Sequence, residues 1–382
     1  MIKQYYKQAL AQLRQHPLIS IIGIVGTALS IFLIMLVVMM QQVKVAPFSP
    51  ESNRNRFLHV HYMSISHKDW GNGTSNGPMS VQTAREVYKS LKTPEAVTVY
   101  CCMTVSTPVS LPGAPAIGAD VRETDDTFFH VFDFQFTDGK PYDEATFTAG
   151  RPVAVITESI SRALFGSIQS VGKEFLLSHA PYRVVGVVKD VSTLADMAYG
   201  QVWIPFTSTN LSNDTWSDNH MGMMSVTLLA HDREDFDEIR AEAKRRMNEY
   251  NSILADQGYT LIDRNRPYDQ ETQSISFAAN LEPDLKAARR ERVIIFIILL
   301  LVPAINLSSM TQSRLRQRVA EIGVRRAFGS TRIEMVGQIV MENLVITLLA
   351  GAIGLLISIL FAYWGTDILF AQPYSVTLNA PT

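Results

Sequence analysis

The run LISIIGIVGTALSIFLIMLVVMM (residues 18–40) carries no charged side chain. As an α-helix it extends about 34 Å, enough to cross the hydrocarbon core of a bilayer. A cleaved secretory leader is the competing reading, but its apolar region is shorter and ends in small residues. Here Gln41, Gln42, Val43 and Lys44 follow the run, the pattern of an uncleaved anchor. The chain therefore reads as a membrane protein, and every other segment has to be assigned to a side of the membrane.

Two more apolar runs follow, far along the chain. Val293 to Met310 is broken only by Pro303 and Asn306 and spans about 27 Å as a helix. Pro303 removes a backbone donor and predicts a kink. Asn306 either hydrogen-bonds across a helix interface or lies near the headgroups; both readings stay open. Ile339 to Trp364 holds Glu342 near its start, within a turn of the membrane entry, where a carboxylate is expected to stay at the interface. Gly351, Gly354 and Ser358 form a small-residue face on which another helix can pack closely. Glycine is also common in membrane helices generally, which is the plainer account.

Flanking charge sets the orientation. Lys3, Lys7 and Arg14 precede the first run, and Arg314, Arg316, Arg318, Arg325, Arg326 and Arg332 follow the second against Glu321 and Glu334. Both segments are cytoplasmic by the positive-inside rule, so residues 41–292 lie outside. Arg289, Arg290 and Arg292 run against this, but the rule is weak for long translocated domains. Within residues 1–17, Ile2, Tyr5, Tyr6, Ala9, Leu10 and Leu13 share one helical face, predicting an amphipathic helix on the inner membrane surface.

The outer segment reads as ordinary globular sequence. Arg56 to Tyr62 predicts a strand, Val81 to Leu91 a helix, and Ala96 to Leu111 a β-rich stretch. Gly222 to Ala230 predicts a strand, Arg233 to Leu254 an amphipathic helix, and Tyr259 to Asp263 a short strand. Two β-α-β units separated by an insertion, at about 112–206, predict one split α/β subdomain with a second, mixed subdomain inside it. In the insertion, strands are expected at 116–121, 153–156, 174–177 and 182–188, with a helix at 158–165 stopped by Gly166. Residues 267–292 are expected to be helical and to lead into the second membrane run.

Chemistry is sparse. The chain has 382 residues, 47% of them apolar, and a net charge of −2, which gives no basis for nucleic-acid binding. The phosphate-binding GxxxxGKS/T loop, HExxH and CxxC do not occur, and no catalytic residue, cofactor site or metal site is assigned. His59 and His61 point to one face of a strand, but two ligands are too few for a metal, and they read as surface histidines. Asp125, Asp126, Asp133 and Asp138 read as a solvated acidic face. Cys101 and Cys102 are neighbours and are not expected to bridge.

The most patterned stretch is cytoplasmic: SRLRQRVAEIGVRRAFGSTRIEMVGQIVMEN (313–343). A helix carries Val319, Ile322 and Ala327 among its arginines, and Gly329 can stop it. Thr331, with Glu334 three residues on, starts the next helix with a capping box. A bounded helical hairpin at 313–338, between two membrane helices, predicts a docking surface rather than a loose basic loop.

Residues AEIGVRRAFGSTRIEMVGQIVMEN (320–343) resemble the cytoplasmic motif of MacB/FtsX-type ABC transporter permeases. LLVPAINL (300–307) resembles the second membrane helix of their Bacteroidetes-type members. FTDGKPYDEATFTAGRPVAVITESISRALFG, SVGKEF and YRVVGVVKDV resemble the MacB-like periplasmic core domain. The resemblance implies an α-helical inner-membrane protein with an α+β periplasmic domain at 41–292. Its split β-α-β part would be porter-like and its insert sabre-like. It implies a non-catalytic permease subunit for export or efflux, with ATP bound on a separate ABC ATPase subunit. The expected partners are a second permease copy or paralogue, a periplasmic adaptor or lipoprotein, and membrane lipid. Glu321, Ile322, Gly323, Arg325, Arg326, Ala327, Phe328 and Gly329 would form the ATPase-contacting element. The alternative within the resemblance is an FtsX-like scaffold that signals to an envelope enzyme. The family has four membrane helices. Here the segments at 18–40, 293–312 and 339–364 supply three, and residues 365–382 read as an outer tail without the fourth.

Overall fold

A computed structural model describes residues 17–364. The amphipathic helix expected at 1–17 and the tail expected at 365–382 lie outside the described residues, apart from Pro17. Two compact units form, one from the helices through Gln42 and from Leu285 onward, the other from Val43–Asp284.

In the first unit, α1 (Pro17–Val45) contains the first apolar run. Residues 267–284 are not the helix expected there. Tyr268–Asp269 is a strand, Gln270–Gln273 a single turn, and the long helix begins only at Leu285. Pro267 lacks a backbone donor, and the preceding Arg264 and Asn265 take positive φ, which breaks the helix pattern. The charged start and the apolar run of this helix are continuous through Pro303 to Gln317. Among the described residues, three helices are long and apolar enough to cross a membrane: Ile21–Val45, Leu285–Gln317 and Arg332–Ala362. Their exposed Ile22, Val25, Ile305, Leu348 and Leu356 suit a surface facing lipid rather than water.

The outer unit is built on β-strands. β1 (Phe57–Val60) and β4 (Ala96–Cys101) each pair antiparallel with β12 (Met224–Leu229), so β1 and β4 run parallel with β12 between them. The helix joining them starts at Val81, capped by Ser80 Oγ, which accepts from Thr83 N at 3.1 Å. That is a split β-α-β unit. Every residue of β1 and β12 is buried, because both faces are covered. Leu58, Val60, Val226 and Leu228 face the helix at 81–84 and the long helix Phe236–Leu254. Phe57 and Leu229 face a second core around Phe128, Phe132 and Trp203.

The second expected unit departs from the pattern. After Phe236–Leu254 the chain forms β13 (Tyr259–Ile262), which leaves the main sheet and pairs with β2 (Met63–His67). With β3 (Thr74–Gly77), β2 and β13 make a separate three-stranded sheet. No strand is expected from the sequence at 63–67 or 74–77: Met63–His67 alternates but is only five residues long, and Thr74–Gly77 is polar throughout.

The segment between β4 and β12 closes on itself. β5 (Val105–Ser110), β6 (Ile117–Thr124), β8 (Val153–Thr157), β9 (Glu174–Leu177), β10 (Ala180–Val188) and β11 (Val202–Pro205) pair in the ring β11-β8-β10-β9-β5-β6, and β6 returns to β11. β7 (Phe136–Gly139) flanks β10. Val109, Val121, Ile156, Phe175, Val184 and Ile204 pack among the buried residues of this ring. Closure leaves no free edges on these six strands. The helix at Glu158–Phe165 is capped by Thr157 and stops at Gly166 in the left-handed region, at φ +69°. The ring starts at Val105, inside the stretch read as one β-rich segment.

Several polar groups expected at the surface are interior. His59 is fully buried, its Nδ1 3.1 Å from Thr227 Oγ1 and its Nε2 2.9 Å from Gln270 Oε1. His61 rests against Met197. Neighbours from other elements cover the strand end that sequence reading left in solvent. Asp125 is also buried. It accepts from Thr98 Oγ1 at 2.7 Å and Val99 N at 3.0 Å, and Lys89 Nζ is 2.7 Å away. A buried carboxylate requires such partners, and Lys89 lies on a different element. Cys101 and Cys102 are free thiols.

Candidate functional site

The patterned stretch at 313–343 folds as three consecutive pieces. The second membrane helix ends at Gln317, a short helix runs Val319–Ala327, and the third membrane helix starts at Arg332. Local chemistry sets each boundary. Gly329 takes φ +95°, a conformation that favours glycine, and turns the chain after Phe328. Thr331 then caps the next helix reciprocally: Glu334 N donates to Thr331 Oγ1 at 3.3 Å, and Thr331 N donates to Glu334 Oε2 at 3.0 Å.

The eight candidate residues divide by environment. Ile322 and Arg325 are half-buried, whereas Glu321, Gly323, Arg326, Ala327, Phe328 and Gly329 are exposed. Glu321 Oε2 accepts from Arg318 Nε at 2.9 Å, and its Oε1 accepts from Arg325 Nη2 at 2.6 Å. Hydrogen bonding to Arg318 holds the Glu321 carboxyl below the usual carboxylate range. Around the turn, large apolar side chains are exposed among the charged Arg326, Arg332 and Glu334. Phe328 is 87% exposed and Ile333 85%, with Val319, Val324 and Val336 also exposed. Sequence reading named Phe328 but passed over Ile333 and Val336, whose signal is their position just past the turn.

Glu342 is not at an open interface. It is 5% exposed and takes Arg318 Nη1 at 3.1 Å and Gln338 Nε2 at 2.9 Å. Gln338 sits one turn before Glu342 on the same face, and Arg318 reaches it from the end of the preceding helix, so the carboxylate is closed in.

The small-residue face packs on the first helix. A Cβ at Gly354 would lie 2.8 Å from the Ala28 carbonyl oxygen and 3.1 Å from Ile31. At Gly351 the nearest neighbour is Ile31 Cδ1 at 3.8 Å. Ser358 is 2% exposed and donates to Gly354 O at 2.7 Å. Asn306 Nδ2 donates to Thr27 Oγ1 at 3.4 Å across the same helix group.

In the outer unit, a cavity of about 460 Å³ is lined by Glu51, Arg54, His61, Asp196, Met197 and Phe277 among others. Among the described residues, no group of three or more His, Cys, Asp or Glu is placed to hold a metal.

Three apolar helices, a large domain between the first and second, and a capped turn between the second and third define a multi-span membrane protein with a large inserted domain. A family model for the MacB-like periplasmic core domain matches residues 18–246, and one for the FtsX-like permease C-terminal region matches residues 293–382. The chain belongs to the MacB/FtsX-like ABC transporter permeases. It is 22% identical over 244 residues to the ABC transporter permease YknZ of Bacillus subtilis, covering 62% of this chain and 55% of that protein. It is 24% identical over 244 residues to the macrolide export ATP-binding/permease protein MacB of Burkholderia cenocepacia, covering 63% and 33%. The chain thus spans about half the length of the first relative and a third of the second. Among solved structures, the periplasmic region of MacB from Actinobacillus actinomycetemcomitans matches 53% of this chain and 88% of its own at 19% identity, with a TM-score of 0.37. The extracellular domain of YknZ matches 53% and 99% at 14% identity, with a TM-score of 0.38.

Proposed function

We propose that this chain is the permease subunit of a mechanotransmission-type ABC transporter in the inner membrane. Its N-terminus is cytoplasmic and its large domain periplasmic. It binds no cofactor. ATP is bound and hydrolysed on a separate ABC ATPase subunit, and a second permease copy or paralogue completes the membrane part. The element Glu321–Gly329 receives the ATPase. Gly351, Gly354 and Ser358 hold the third helix against the first, so displacement of one helix moves the other. In the periplasm the split β-α-β unit is the porter-like part, and the six-strand ring is the sabre-like part that meets an adaptor or lipoprotein. The work done is export or efflux of material from the periplasmic side.

One observation carries this reading. Phe328 and Ile333 stand almost fully in solvent beside a turn held by a left-handed glycine and a capping box. Large apolar side chains on a rigid, solvent-facing turn suit a protein partner. The size of the periplasmic domain favours transport over the signalling-scaffold alternative. Co-purification is the test. The native protein should bring down an ABC ATPase, and Phe328→Asp with Ile333→Asp should release it. An ATPase that stays bound to that double variant would overturn the docking assignment.

A further inference from the structure

We propose that Glu321 and Arg325 are positioning residues that brace the short helix to the membrane helices, and do not themselves bind the ATPase. This rests on the docking reading above and divides its contact element in two. Five side chains form a closed ring. Arg318 Nε donates to Glu321 Oε2 at 2.9 Å, and Arg325 Nη2 donates to Glu321 Oε1 at 2.6 Å. Arg325 Nη1 donates to Gln338 Oε1 at 2.8 Å, and Gln338 Nε2 to Glu342 Oε1 at 2.9 Å. Arg318 Nη1 returns to Glu342 Oε2 at 3.1 Å and Oε1 at 3.3 Å.

The ring joins three pieces of chain. Arg318 lies between the second membrane helix and the short helix, Glu321 and Arg325 lie on the short helix, and Gln338 and Glu342 lie on the third membrane helix. A nine-residue helix is too short to hold itself in water, so its position depends on this brace. Both oxygens of Glu321 are already engaged within the chain, and both terminal nitrogens of Arg325 donate within the ring. Gln338 and Glu342 are 8% and 5% exposed, so the closing side of the ring is inside the helix packing. Glu321 and Arg325 are themselves partly exposed, but pulling Arg325 away would leave the buried Gln338 Oε1 without its donor. Arg326, Ala327 and Phe328 lie on the exposed side and are free to make the contact. Force applied to that tip then passes through the ring into both membrane helices instead of bending the short helix.

The test uses the full protein assembled with its ATPase and compares Glu321→Gln, Arg325→Gln, their double variant and Phe328→Asp. Two quantities are read: the amount of ATPase that co-purifies, and the stimulation of ATP hydrolysis by the permease. Glu321→Gln and Arg325→Gln are expected to keep the ATPase bound within about twofold and to lose about tenfold of the stimulation, and the double variant to lose no more than either alone, as for residues in one network. Retained binding also reports that the variants fold. Phe328→Asp is expected to lose binding. If Glu321→Gln releases the ATPase as fully as Phe328→Asp, or if the two charge variants multiply to about a hundredfold, they contact the partner separately and the brace is wrong. If Phe328→Asp keeps the ATPase, the docking reading fails first, and the brace falls with it.

Discussion

Arg54 and Glu51 form an ion pair sealed inside the outer domain, 2.6 Å apart with side chains 2% and 0% exposed. Arg54 also donates to the carbonyls of Val43 at 2.6 Å, Ala46 at 3.0 Å and Leu194 at 2.8 Å. Glu51 accepts from Met197 N at 2.8 Å and Ala198 N at 3.0 Å. The pair thus ties residues 43–46 to the loop before β11, and the bonds to Leu194, Met197 and Ala198 join segments that sequence alone does not pair. Arg54→Met leaves a buried carboxylate and three carbonyls without their donor, and should cost about 3–5 kcal/mol. Faster hydrogen exchange at the Met197 and Ala198 amides is the expected signature; unchanged protection there would refute the tie.

The membrane unit gives a steric contrast. A Cβ at Gly354 meets the Ala28 carbonyl, which cannot rotate aside, whereas one at Gly351 has ordinary contact only. Gly354→Val should destabilise the helix packing by about 1–3 kcal/mol, while Gly351→Ala should be near neutral. Thermal unfolding in detergent measures both, and equal effects would show that the two positions do not differ as described.

Burial pushes the His59 imidazole down to about 3, with the positive neighbours His61 and Arg54 also lowering it, and Gln270 and Asp269 opposing. The folded protein therefore keeps His59 neutral where the unfolded chain takes up a proton. The sign is that of a depressed folded value: its stabilisation is complete above the unfolded value near 6.5 and is lost as the pH falls toward about 3. His61, lowered to about 4, acts in the same direction. His59→Asn should flatten the loss of stability over that window. Chemical denaturation followed by tryptophan fluorescence at a series of pH values would show it, and parallel curves for the two proteins would contradict the buried, neutral imidazole.

Two glycines of the element between the second and third helices should respond oppositely to alanine. Gly329 has φ +95°, where any side chain is strained even though space is open, while Gly323 is helical with nothing within 4 Å of an added Cβ. Gly329→Ala should lower stability by about 1 kcal/mol or more, and Gly323→Ala should raise it by about 0.5–1 kcal/mol. Limited proteolysis across residues 325–335 compares them directly.

Local pattern made much of this molecule legible. The charge-free run at 18–40 gave the first membrane helix, Gly166 the end of its helix, and Thr331 with Glu334 a helix start, because each signal sits within a few residues of its effect. The rest depends on distant partners. Asp125 read as solvated because Lys89 and Thr98, which bury it, lie on other elements. The return of β6 to β11, which closes the ring, joins residues about eighty apart in sequence. The Thr260–Ser66 pairing that takes β13 out of the main sheet leaves no trace in either strand. In the candidate site, the motif residues were visible one by one. Their division into a braced group and an exposed tip was not, because it depends on Gln338 and Glu342 from the next helix.

In the proposed transport cycle, ATP on a partner subunit moves the outer domain. Arg245, exposed on the long helix Phe236–Leu254, is a suitable rigid reporter position. An Arg245→Cys variant, with Cys101→Ser and Cys102→Ser, can be spin-labelled in the full assembly. The distance distribution between the two permease copies of the proposed assembly is then read by electron paramagnetic resonance with and without trapped ATP. A distribution that shifts on ATP binding and returns after hydrolysis is expected. An unchanged distribution in an assembly whose ATPase is bound and turning over would contradict it.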